Sequence, residues 1–341
     1  MSLLVAVILV VVSAGAAVAV LMGGRWRRRT PGQHPIPPVG WTAWSPGAAP
    51  DATTSSPDLR PARRDHEASA VSVTAGAKLG SGGQGQIYEI VGDPDRVLKA
   101  FLVPIPAAKD NLDAVLGALD RVAENLRSLP ITLCWPERAV TKENYLLGYV
   151  MRRIQSPFYF TSSRGLLSKR LLRELQYAVP RRSAFEMPVV KPNEILELVR
   201  LVARFLDAMH RQDLVYGDIS WTNFTFALDP IRLCVHDFDS TRCLGGDAFT
   251  AQPPLDTIDW DDPDARDASV ATLDSDRYKF ALLAYRMLIA KDLHSRLDPG
   301  GAVAAAASEV LPSSDLQHLW RRAAGPLGTR PQLVEWLRAL A

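Results

Sequence analysis

Cysteine is scarce in this chain: three in 341 residues, Cys134, Cys234 and Cys243. An odd set of three cannot form a disulfide framework, and no C-x-x-C pair exists to seed a structural zinc site. A reducing, cytoplasmic compartment suits such a chain. An excess of one charge is also lacking. Lys+Arg number 39 and Asp+Glu 37, a net charge of +2, which excludes a dedicated nucleic-acid coat. No DNA-binding module is appended. Disorder is not general either, because 47% hydrophobic and 22% charged residues is globular composition. At roughly 100–200 residues per domain, the length allows two or three domains, or one large domain with appendages.

The small charge imbalance sits at one end. Residues 1–75 hold seven Arg and four acids, a net of +3, which leaves −1 for the rest. Residues 3–22 carry no charge over 20 positions. At ~1.5 Å per residue that helix would match the ~30 Å hydrocarbon layer of a bilayer. Arg25, Trp26, Arg27, Arg28 and Arg29 follow at once; positive residues stay on the cytoplasmic side, and Trp suits the headgroup level. The sequence therefore predicts a single-pass transmembrane anchor over residues 1–24, with a very short N-terminus outside. Everything after it would be cytoplasmic, at the cell membrane. A cleaved signal peptide is the competing reading, since Ala14-Gly15-Ala16 is a small-residue stretch. Such a peptide, however, carries its positive charge before the apolar run. Eight prolines between Pro31 and Pro61 predict an extended, disordered linker over 25–75. Trp41 and Trp44 read as solvated linker residues rather than a docking motif.

From residue 76 the pattern becomes that of a folded domain. Gly80-Ser81-Gly82-Gly83-Gln84-Gly85-Gln86-Ile87 is G-x-G-x-x-G-x-I between β-type residues. No helix pattern follows, so it reads strand–turn–strand rather than a helix-opening dinucleotide loop. Glycines offer unobstructed backbone N–H groups, which suits phosphates and equally suits a plain turn. Lys99 then stands inside the strand pattern from Arg96 to Phe101, where burial without a partner is costly. Leu112, Val115, Leu116, Leu119, Val122 and Leu126 predict an amphipathic helix over 111–129. Its Asp120 or Glu124 is a candidate carboxylate for Lys99. Pro130 and Cys134-Trp135-Pro136 break the helix, and Tyr145 to Met151 is a further apolar strand. The 155–190 stretch is basic and insertion-like, with Arg164, Lys169, Arg170, Arg173, Arg181 and Arg182. It reads as a solvated charged helix, with acidic partners or lipid headgroups as the alternative.

A second helix, 192–211, buries Leu198, Val202, Phe205 and Met209. It runs into Tyr216-Gly217-Asp218-Ile219-Ser220-Trp221-Thr222-Asn223, and a strand later comes Asp237-Phe238-Asp239-Ser240. Carboxylates beside buried strands need a metal, a hydrogen-bond network or chemistry. Asp276 leads a run to Tyr285 that is apolar nearly all round, as a buried helix requires. Arg330-Pro331 opens a last helix containing Leu333, Trp336 and Leu337.

The ordered set (Gly-rich loop, strand Lys, helix, D-x4-N, D-F-x) resembles the protein-kinase superfamily over roughly 76–341. The chain is most similar to divergent bacterial Ser/Thr kinases with a G-D-x4-N loop and a D-x-D-S turn. The resemblance implies an α+β, bilobal protein-kinase-like fold: a small β-rich N-lobe over 76–154 and a mainly helical C-lobe over 155–341, behind the transmembrane helix. It implies ATP and Mg²⁺ as cofactors, protein substrates of unknown identity and no nucleic-acid partner. Gly80, Ser81, Gly82, Gly83 and Gly85 would cover the nucleotide, with Ile87 and Met151 beside it. Lys99 would pair with the α/β-phosphates, and Asp218 would accept the proton of the acceptor hydroxyl. Asn223 and Asp237 would hold Mg²⁺, and Asp239 would be a further ligand or a cap of its turn.

The departures carry expectations too. Tyr216-Gly217 stands where the family has His-Arg, so phosphorylation of Ser240, Thr241, Thr250 or Thr257 is expected to be unnecessary for activity. Ser220 replaces the lysine two residues after the base, so lower turnover, or help from another basic residue, is expected. An A-P-E element is not recognisable; Pro253-Pro254 is at most a remnant. Two other functions share these parts: a pseudokinase scaffold, and a small-molecule kinase of the aminoglycoside or choline type. The complete G-x-G-x-x-G and the Arg330-Pro331 helix favour the protein-kinase side.

Overall fold

The computed structural model of this chain describes residues 73–341 apart from 83, 107–108, 162–164, 166, 177–188, 247–256, 258, 265–270, 291–293 and 298–313. The expected anchor, all but the last residues of the linker, Gly83, Arg164, Arg181, Arg182, Thr250 and Pro253-Pro254 lie outside the described residues. Among the described residues no helix is long and apolar enough to cross a membrane.

Five strands form one antiparallel sheet in the order β1 (Ala75–Ser81), β2 (Gly85–Ile90), β3 (Asp93–Pro106), β6 (Tyr145–Arg152) and β5 (Pro136–Lys142). The glycines form the expected strand–turn–strand: the Gly82 amide donates to the Gly85 carbonyl at 2.8 Å, and Ser81 faces Gln86 across the turn. On β3, Lys99 lies opposite Ile87 on one side and Tyr149 on the other. That register sets its amine beside the glycine strands. Gly148 allows it, since a Cβ there would come within 2.1 Å of the Lys99 carbonyl oxygen.

The helix after β3, α1 (Lys109–Leu126), stops short of the expected 129. Its apolar stripe packs chiefly against α2 (Pro192–His210) and β12 (Arg242–Cys243), leaving Asp120 and Glu124 on the exposed face. α2 begins on Pro192, which needs no N–H partner in the first turn, and the Glu194 carboxylate accepts from the Lys191 amide at 2.6 Å. β9 (Leu214–Val215) pairs with β12, and β10 (Phe224–Ala227) with β11 (Arg232–His236). β4 (Ile131–Cys134) joins β11 in parallel, which places the buried thiols of Cys134 and Cys234 3.5 Å apart.

The 155–190 stretch corrects the expectation of a solvated charged helix. Its described part is a 3₁₀ turn (Ser156–Phe158), a hairpin of β7 (Tyr159–Thr161) and β8 (Leu167–Lys169), and a second 3₁₀ turn (Leu172–Gln176). Phe158 and Leu172 are buried on either side of the hairpin. The Phe226 amide of β10 donates to the Arg170 carbonyl at 2.9 Å. Two apolar anchors therefore pull the basic segment onto the core.

α3 (Leu273–Tyr285) is the expected buried helix: every residue from Tyr278 to Tyr285 is buried. Its start is fixed by Thr272, whose hydroxyl accepts from the Ser275 amide at 3.0 Å while the Ser275 hydroxyl accepts from the Thr272 amide at 2.8 Å. Around it pack α2, α4 (Ser314–Ala323) and α5 (Leu333–Ala339), with Trp336 edge-on to both Phe280 and Trp320. The whole is a mixed α+β fold, β-rich before residue 152 and helix-rich after 192.

Candidate active site

A cavity of ≈ 760 Å³ opens beside the glycine strands, a volume ordinary for a small-molecule site. Gly80, Ser81, Gly82, Gly85, Ile87, Lys99 and Met151 line it, and so do Asp218 and Asp237. Of the expected site residues, Gly83 lies outside the described residues. Asn223 and Asp239 are buried behind the cavity wall.

Lys99 is the centre of one cluster. Its amine donates to Asp237 Oδ1 at 2.8 Å and to Asp239 Oδ2. Asp239 Oδ1 in turn accepts from the Tyr149 hydroxyl at 2.7 Å. The carboxylate partner of Lys99 is therefore on the 237–239 turn and not on α1. Asp120 and Glu124 are corrected as candidates, since the exposed face of α1 points them to solvent, where Glu124 pairs with Arg127 at 3.2 Å. Asp239 does not line the cavity; it is the inner counter-ion of Lys99. Burial lowers the affinity of Lys99 for its proton, but the charges of Asp239 and Asp237 outweigh it and raise its pKa. Burial likewise pushes Asp237 up, and Lys99 reverses that, holding the carboxyl below its ordinary range. Asp239, deeper, stays raised by burial despite Lys99. Two carboxylates thus share one ammonium. Asp237 sits at φ +66°, a left-handed conformation costly for a non-glycine residue and characteristic of functional turns.

Asp218 is the centre of the second cluster. Asn223 Nδ2 donates to its backbone oxygen and to its Oδ2, both at 2.8 Å, and the Thr257 hydroxyl donates to Oδ1 at 3.2 Å. Burial pushes the Asp218 carboxyl up to about 6, with the Asp237 charge adding to it and the Asn223 hydrogen bond opposing. The D-x4-N spacing is what lets Asn223 reach back across its own loop. Ser220 is buried and hydrogen-bonded to Thr222 at 2.7 Å, so it offers nothing to the cavity.

The loop carrying Asp218 is clamped from below. Asp276 on α3, fully buried, accepts from the Tyr216 amide at 2.8 Å and the Gly217 amide at 3.0 Å, while Lys279 donates to the Gly217 carbonyl at 2.9 Å. Gly217 is obligatory: it sits at φ +86°, and a Cβ would lie 2.8 Å from the Ser240 carbonyl oxygen. Tyr216, Phe205 and Trp135 each meet the Phe238 ring edge-on, which ties the 237–239 turn to the same core.

Asp262 holds the buried guanidinium of Arg330 through both oxygens, one contact at 2.8 Å. Motif reading missed Tyr149, Thr257 and Asp262, whose roles depend on pairings across 90, 39 and 68 residues.

The donor set suits a hard divalent cation. Asp237 turns a partly open carboxylate to the cavity, and the Asn223 amide oxygen has no protein partner among the described residues. No three His, Cys, Asp or Glu side chains among the described residues are grouped to hold a metal unaided. Mg²⁺ uses one or two protein oxygens and completes its shell with water and phosphate. Compared with known proteins, the chain matches no protein-family model and no curated sequence.

Proposed function

We propose that this chain is a membrane-anchored, ATP-dependent protein kinase of the Ser/Thr type. The reading takes residues 76–154 and 155–341 as the two lobes of a protein-kinase-like fold, residues 1–24 as a transmembrane anchor and 25–75 as its tether. One observation carries it: Lys99 and Asp237, 138 residues apart, meet at 2.8 Å on the wall of the same cavity that holds Asp218 and the glycine strands. The anchor and the cytoplasmic placement rest on the sequence alone.

In this reading the glycine strands cover the phosphates of ATP with backbone N–H groups, and Lys99 neutralises them from the roof. Ile87 and Met151 flank the base. Asp237 and Asn223 would hold Mg²⁺, whose chemistry here is neutralisation of phosphate charge. Asp218 accepts the proton of a Ser or Thr hydroxyl as its oxygen forms the bond to the γ-phosphorus and the bond to ADP breaks. A carboxyl at about 6 is ionised at neutral pH yet basic enough to accept that proton. Asn223 and Thr257 orient it.

The test is transfer from [γ-³²P]ATP by the full chain in detergent, with Mg²⁺. Asp218→Ala should lower transfer about 10²–10⁴-fold and leave Mg-ATP binding within a few-fold. Binding without transfer in the wild type would favour the scaffold, and phosphorylation of small alcohols but no protein would favour the small-molecule kinase. Absence of both binding and transfer would overturn the reading.

A further inference from the structure

Ser220 leaves the cavity without the lysine that the kinase resemblance places near the γ-phosphate, and Lys99 is already shared by two carboxylates. The cavity nevertheless holds a second ammonium. We propose that Lys169, on β8, is a phosphate-binding cation of this cleft, supplying from the β7–β8 hairpin the positive charge that Ser220 does not. The inference rests on the nucleotide-binding reading above.

The placement follows from strand geometry. Tyr159 and Lys169 are direct partners across the hairpin, so their side chains share one face, and Leu167, two residues back, lies on that face too. All three line the cavity. The hairpin base is fixed: the Arg170 amide donates to the Phe158 carbonyl at 2.9 Å, and the Arg170 guanidinium donates to the Tyr159 carbonyl at 2.9 Å. Lys169 is thus delivered by an anchored backbone.

Its electrostatics are those of a cation awaiting an anion. Among the described residues the Lys169 amine makes no hydrogen bond and no ion pair. The residue is exposed, and its side chain forms part of the cavity lining. Partial desolvation beside the cavity lowers its pKa, the Asp237 charge opposes the shift, and Lys99 adds to it. Lys169 therefore feels both groups that face the phosphates. Its charge is also the second cause, after burial, that holds His236 down to about 3. An oxyanion in the cavity removes the mutual repulsion of Lys99 and Lys169 and gains two charge-assisted contacts.

The test compares Mg-ATP, Mg-ADP and adenosine binding to the full chain by calorimetry, for wild type, Lys169→Met and Lys169→Arg. Lys169→Met should weaken Mg-ATP about tenfold, Mg-ADP less, and adenosine not at all; Lys169→Arg should restore most of the loss. Adenosine binding also reports that the variant is folded. Wild-type and Lys169→Met affinities for Mg-ATP within twofold of each other overturn this inference alone. Equal loss for adenosine and Mg-ATP overturns it too, since the contact is then not to phosphate. A wild-type chain that binds no Mg-ATP overturns the kinase reading itself, and this inference with it.

Discussion

The two walls of the cleft are held by different forces. On the sheet side, Lys99, Asp237 and Asp239 are fixed by ionised side chains attracting one another. On the helical side, the Asp218 loop is fixed by a buried carboxylate that accepts two backbone N–H groups. Backbone donors do not titrate, and a hydrogen bond to a charged group contributes about 1.5–3 kcal/mol. A buried ion pair returns little net stability, because desolvation offsets most of the attraction. The helical wall is therefore the rigid reference, and the sheet wall is the part that charge, and hence a bound anion or cation, can adjust.

The sharpest way to break this comparison is Asp276→Ala. It orphans the Tyr216 and Gly217 amides, and the fold should lose about 3–5 kcal/mol. That corresponds to a melting temperature lower by about 10 °C in calorimetry. A change of only a degree or two would show that the loop is held by something else.

Lys99→Met tests the other wall. It leaves two carboxylates facing each other, whose pKa values then rise above their unfolded values. The penalty is fully present at high pH and shrinks as pH falls and one carboxyl takes a proton. Denaturant titrations should give a loss of about 2 kcal/mol at pH 8 and clearly less at pH 5. A loss independent of pH would contradict a charge-held wall.

Asp218→Asn should act in the opposite direction. Because the folded carboxyl is raised to about 6, its ionised form costs stability above that pH. The variant should be more stable than wild type by roughly 1 kcal/mol at pH 8, allowing for solvent screening. The difference should shrink as pH falls below about 6 and vanish only below about pH 4, where the carboxyl of the unfolded chain is protonated as well. The smallest effect belongs to Glu124→Ala: stability within about 0.5 kcal/mol and Mg-ATP affinity unchanged. A strong loss of nucleotide there would return α1 to the role the structure gives to the 237–239 turn.

Much of the architecture could be read from the sequence because it is written in local periods. The glycine turn between β1 and β2, the apolar stripes of α1 and α2, and the all-round burial of α3 each follow from spacing alone. The D-x4-N loop is legible for the same reason, since its hydrogen bond spans five residues. The partner of Lys99 is not local. Asp239 and Lys99 are 140 residues apart, and the nearer acids on α1 satisfied every sequence criterion except geometry. The β7–β8 hairpin was obscured by its charge. Six basic residues suggest a solvated helix, while the two apolar anchors that decide the outcome, Phe158 and Leu172, meet a core that no single-window pattern contains.

Asp239 has one consequence for how Lys99 is held. Lys99 finds its outer and inner carboxylates on the same short turn, so rotating that turn detaches both together. The pairing of Lys99 thus depends on the torsions of three residues. A ligand that clamps Phe238 between Tyr216 and Trp135 would act directly on those torsions.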